Sequence, residues 1–131
     1  MKVNLNPGTV NIEIPYGEIK VLLILRNSTS EEYCNFLRSR FKFGTSGNLM
    51  EDHSSSARID FIDRLLLDIK VKDKEGNIGE AVFTDPVKGM EKPLTPKTPD
   101  WKKFVLPSFK HAAALVFEGV NGKMENAVLK N

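Results

Sequence analysis

The side chains able to do chemistry in this 131-residue chain are few and scattered. His53 and His111 could join Asp52 or Glu118 around a metal, but no HxxxH or HExxH pair exists to put two imidazoles on one helical face. Cys34 is the only cysteine, which excludes an internal disulfide and a cysteine-built zinc site. It sits in a helical pattern beside Tyr33, with no neighbour that would activate it, and reads as a small buried side chain. Asp60, Asp63 and Asp68 fit the polar side of a helix, paired with Arg58, Arg64 or Lys72. No GxxxxGK, GxGxxG or GxSxG occurs, and the glycines of "EGNIGE" (75–80) belong to a hairpin turn. These readings assign no catalytic residue, metal or cofactor, and the chain is expected not to be an enzyme.

Binding is the remaining chemistry. Lys70, Lys72 and Lys74 alternate, so a strand would point them to one face, and Arg38, Arg40 and Lys42 lie close together. Tyr16 and Trp101 could stack on bases. Asp68, Asp73 and Glu75 dilute the lysines, however, and the net charge is +2 with a pI near 8.7. A dedicated nucleic-acid binder usually exceeds about 9, so nucleic acid is disfavoured. Protein contact is the stronger expectation. Trp101, Phe104 and Phe109 are large anchors next to a proline-rich stretch, flanked by Lys102 and Lys103, and such aromatics concentrate binding energy. The competing reading is that they complete the chain's own core.

Several elements must position these residues. "VNIEI" (10–14) alternates as a half-buried strand, and "EIKVLLILR" (18–26) is apolar on both alternations, which suits a strand covered on both faces more than an edge. With "PYGE" between them they form a hairpin. Thr29 and Glu32 make a capping box for a helix in which Tyr33, Phe36, Leu37 and Phe41 face the core. A second helix is expected within 57–68, capped by Ser54 to Ser56, with a stripe of Ile59, Ile62, Leu66 and Ile69 widened by Phe61 and Leu65. Strands around a "KEGN" turn follow. Thr98 should cap a short helix with Pro99 at its first position, and Pro107 should separate it from another. In that last helix Phe109, Ala112, Ala113, Val116 and Phe117 form the apolar face, and Gly119 ends it.

The expected fold class is α+β, with small antiparallel β-hairpins packed with three to four α-helices. Length suits a single domain over 1–131. Segments 44–56 and 84–98 are polar and rich in Gly, Ser and Pro, and are expected to be flexible loops available for contact. The tail, 120–131, is expected to be a short helix or frayed. The longest apolar run, "IKVLLIL" (19–25), is far short of the roughly 18 residues of a membrane span. No secretory signal is evident in the first residues, so a cytoplasmic location is expected.

The order of segments carries a resemblance. "VNIEIPYGEIKVLLILRNSTSEEYCNFLRSRF", "ARIDFIDRLLLDIKVKDKEGN" and "DWKKFVLPSFKHAAALVFE" together resemble the tail assembly chaperones of long-tailed phages and prophages. The likeness covers most of the chain and rests on pattern, without a diagnostic motif. It implies a non-enzymatic protein of the host cytoplasm that binds a helical tape measure protein and helps tail tube proteins assemble around it. Self-association is left open. The alternative is a small nucleic-acid-binding or regulatory prophage protein.

Overall fold

The computed structural model describes the backbone of residues 1–43 and 50–130 and the side chains of 1–42 and 50–119. It is a mixed α+β fold. A four-stranded antiparallel sheet, two further hairpins and three α-helices are present among the described residues. The chain forms two compact units, each assembled from two stretches of sequence: residues 1–27 with 65–106, and residues 28–64 with 107–131.

The first unit is built on the sheet β1-β2-β5-β6. β1 (Thr9–Tyr16) and β2 (Ile19–Arg26) pair in continuous register from Thr9↔Arg26 to Tyr16↔Ile19. Gly17 supplies the positive φ (62°) that so short a turn requires. β2 is central, paired on its other side with β5 (Leu66–Lys72), and it is buried on both alternations, at Val21, Leu23 and Leu25 on one face and at Leu22 on the other. Register places Val10, Ile12 and Ile14, then Val21, Leu23 and Leu25, then Ile69 and Val71 on one face. Leu23 and Leu25 have no exposed surface. The other face carries Glu13, Lys20, Asp68, Lys70 and Lys72 around Leu22 and Ile24.

The second helix departs from expectation. α2 spans Ser54–Leu65, and the chain passes directly into β5 at Leu66. Residues 62, 65, 66 and 69 satisfy a helical period, but the ladder shifts between Ile24 and Leu25, pairing Ile24 with Asp68 and Leu25 with Leu66. The bulge at Leu67 changes the strand's phase, so Leu66 and Ile69 are both buried although an odd number of residues apart. The serines do not precede α2. Ser54 is its first residue, and the Asp52 carboxylate accepts the Ser54 N–H at 2.8 Å.

β6 (Ile78–Glu80) completes the sheet after a turn in which Asp73 accepts N–H groups from Glu75 and Asn77. Segment 84–98, read as a loop, holds half a hairpin: β7 (Val82–Thr84) pairs with β8 (Glu91–Pro93). Asp85 orders the turn by accepting from the Val87 and Lys88 N–H groups and from Lys92 Nζ at 2.9 Å. A 3₁₀ turn, Trp101–Phe104, follows. Its N-cap is Asp100, at φ 56°, not Thr98, whose hydroxyl donates to the Pro93 carbonyl instead.

The second unit is helical. α1 (Ser30–Ser39) has the expected box: Thr29 Oγ1 accepts from Glu32 N–H at 3.2 Å, and Glu32 Oε1 from Thr29 N–H at 3.0 Å. Phe36 is buried, whereas Phe41 leaves the helix, lies on β3 (Phe41–Phe43) and is 46% exposed. β3 pairs with β4 (Met50–Asp52), which lies within segment 44–56; the rest of that segment up to 49 is outside the described residues. Cys34, expected to be buried, is exposed, because the helix turns Tyr33 and Phe36 inward instead. α3 starts at Pro107, as expected, but does not stop at Gly119: its backbone continues helical to Lys130.

Candidate functional site

Two regions of the helical unit have features beyond those a core requires. The first is α3. Lys110, Ala113 and Ala114 are buried, with Lys110 only 4% exposed, and its Nζ lies 2.7 Å from Asp63 of α2. One turn and more away, Arg58 of α2 holds Glu118 of α3 through Nε–Oε1 at 2.9 Å and Nη2–Oε2 at 3.5 Å. Phe61 and Phe117 meet edge-on between these pairs, centroids 5.4 Å apart. The two ion pairs have opposite polarity, cation from α2 in one and from α3 in the other, which fixes antiparallel register. The outward side is the reverse of a normal surface helix. Ala112, Leu115, Val116 and Gly119 follow one another at i, i+3, i+4 and i+7, and Leu115 and Val116 are 46% and 50% exposed. The expected apolar face, which included Val116, is therefore rotated: the helix turns a lysine inward and apolar residues outward.

The second region is a cleft of about 380 Å³ between α1 and α2. Its walls are two matching helical faces, Glu32, Asn35, Phe36 and Ser39 opposite Ala57, Asp60, Phe61 and Arg64, with Lys42 beside them. Each set has the spacing i, i+3, i+4, i+7. The floor is the Phe36–Phe61 stack, with ring centroids 4.6 Å apart and planes 11° from parallel. Glu32 is engaged by the capping box, Ser39 Oγ donates to the Phe36 carbonyl at 2.9 Å, and Asn35 Oδ1 accepts from Arg38 at 3.3 Å. The rim therefore mixes both signs of charge over an aromatic base, without a nucleophile held by a base. Of these wall residues only Phe36 and Phe61 belong to the apolar stripes expected from the sequence, and their stacking joins residues 25 apart.

Of the residues singled out for partner contact, four share one turn and the fifth lies apart. Trp101 is 8% exposed and belongs to the buried set of the sheet unit with Leu94 and Val105. Phe104 stacks on Phe83 at 4.3 Å, and Lys102 Nζ lies 6.0 Å from the Trp101 ring. Lys103 is exposed and 3.9 Å from Asp100. All four lie on one 3₁₀ turn; Phe109 is half-buried on α3 in the other unit. His53 pairs with Glu51 at 3.0 Å. Among the described residues no three His, Cys, Asp or Glu side chains converge as metal ligands. The acids are paired differently from the expectation, Asp63 with Lys110, and Asp68, on a strand, with Lys70.

The three lysines read as one stripe are paired as well, although Lys74 lies in the turn beyond β5. Lys72 meets Glu13 at 3.0 Å, Lys70 meets Asp68 at 3.8 Å, and Lys74 meets Glu18 at 3.2 Å. Glu13 also accepts from Lys20, and these bonds, that to Lys72 foremost, lower its pKa. Among the described residues no helix is long and apolar enough to cross a membrane. No protein-family model, curated protein or solved structure matches the chain.

Proposed function

We propose that this protein is a non-enzymatic assembly chaperone of the long-tailed phage type, holding a helical segment of a tape-measure-like client in the host cytoplasm while tail tube subunits assemble. One observation carries the reading: the outward face of α3, where Leu115 and Val116 stand half-exposed while Lys110 and Glu118 are turned to ion pairs with α2. An amphipathic client helix laid along that face would bury its own apolar stripe against these side chains and approach closely at Ala112 and Gly119. The resemblance in segment order supports the same reading. Trp101 serves the sheet unit's interior, which moves the contact from the residues around Trp101 to those of α3. The ion-paired lysines of β5 weigh against a nucleic-acid reader, because each phosphate contact would first have to displace a carboxylate.

Co-expression with a long, helix-rich protein encoded beside this one tests the proposal. The client is expected to remain soluble and to co-purify with the wild type, and to be lost with Leu115→Glu/Val116→Glu, whose thermal midpoint should stay near that of the wild type. Equal client recovery with that variant, or salt-sensitive DNA binding in place of client binding, would refute it.

A further inference from the structure

Residues 1–6 alternate strictly, Met1, Val3 and Leu5 against Lys2, Asn4 and Asn6, the two-residue period of a strand with one apolar face. They form no strand, and Val3 and Leu5 are 64% and 90% exposed. The segment thus has the pattern of a strand but no sheet to join.

An unused sheet edge is present in the same unit. Among the described residues β1 is the outer strand of the four-stranded sheet, eight residues long, with β2 on one side only. The Asn27 N–H donates to the Gly8 carbonyl at 3.0 Å, which sets the phase of the ladder. Even-numbered residues of β1 exchange hydrogen bonds with β2, and odd-numbered ones direct theirs away from it. The outward N–H groups therefore belong to Thr9, Asn11 and Glu13. Pro15, next in that series, has none and closes the edge.

An arm running antiparallel to β1 with Asn6 opposite Thr9, Asn4 opposite Asn11 and Lys2 opposite Glu13 meets each of those groups. The same register sets Leu5, Val3 and Met1 beside Val10, Ile12 and Ile14. Ile12 is buried already, but Val10 and Ile14 are only half-buried, so the added strand covers their remaining apolar surface. Lys2 would reach Glu13, a carboxylate whose other partners are likewise lysines.

The arm does not reach this edge within its own chain. Pro7-Gly8 would have to close a two-residue hairpin, and proline followed by glycine at φ 85° is the pattern of a type II turn, whose handedness splays the flanking strands. The side chain of Asn6 holds the segment elsewhere, accepting from the Gly8 N–H at 3.0 Å and from Asn27 Nδ2 at 2.8 Å. We propose that residues 1–6 are an exchanged strand: the arm of each copy adds to the open β1 edge of a second copy, giving a reciprocal homodimer.

Sedimentation of the full chain together with a mixed cross-link tests this. In a Cys34→Ser background, an Asn4→Cys chain is mixed with a mass-tagged Asn11→Cys chain, with Lys88→Cys replacing Asn11→Cys as control. A concentration-dependent dimer is expected, with a disulfide between unlike chains forming at least tenfold faster than in the control. Asn11→Pro, which deletes an outward N–H, should weaken self-association at least tenfold; deleting residues 1–6 should do the same if the proline variant proves unstable. A full chain that stays monomeric throughout, a disulfide no faster than the control, or a dimer that survives the arm deletion overturns the proposal.

Discussion

β2 and α3 handle the same kinds of side chain in opposite ways. β2 buries Val21, Leu23 and Leu25 on one side and sets its lysine, Lys20, against Glu13 in the open. α3 buries Lys110 against Asp63 and leaves Leu115 and Val116 half-exposed. The strand's arrangement draws its stability from apolar area removed from water. The helix's arrangement sacrifices some of that area, and a buried ion pair seldom repays the loss in stability compared with apolar residues of the same size. What it does supply is register and an apolar exterior, the face along which the proposed client would lie.

The comparison can be broken most sharply at Asp63. Asp63→Ala strands the buried ammonium of Lys110 and should cost about 3–5 kcal/mol in urea unfolding, whereas Asp63→Leu/Lys110→Met, which removes both charges, should cost much less. If the single and double changes cost the same, the pair does not set the packing of α3. On the strand side, Leu23→Ala should cost about 3 kcal/mol, because a fully buried leucine leaves a cavity the ladder cannot close. Thr29→Ala should cost about 1 kcal/mol by opening the capping box of α1, visible as a lower urea midpoint with an unchanged slope. Asp85 gives a smaller, pH-dependent effect. Lys92 and the Val87 and Lys88 N–H groups pull its pKa from 3.8 to about 2. Its contribution is complete above about pH 4 and disappears as pH falls towards 2; Asp85→Asn should therefore differ most from the wild type at neutral pH and converge with it in acid melts. Leu115→Glu should change stability by no more than about 0.5 kcal/mol, and a larger loss would mean that this face already packs within the chain.

Local patterns were legible where neighbouring residues meet their own requirements. The Thr29–Glu32 box, the β1–β2 hairpin and the break at Pro107 each depend on residues a few positions apart. The misread stretches share a physical cause. At 62–69 the spacing suits a helix and, once a bulge is inserted, a strand equally well, so only pairing with β2 chooses between them. At Gly119 a glycine permits a stop without requiring one, and the helix continues. Of the residues lining the α1–α2 cleft, only Phe36 and Phe61 stood on the stripes read along the chain; the polar walls and the stacking of the two rings could not be read there.

The sequence by itself determined the class of fold, the capped start of α1 and the phase of the β1–β2 hairpin, because hydrophobic period, capping and turn chemistry act over a few residues. Only the tertiary structure decided that Trp101 is interior, that Lys110 points inward to Asp63 and that Leu115 and Val116 are left outside. Those outcomes depend on partners tens of residues away, and an apolar stripe records that a face can be buried without recording which neighbour buries it.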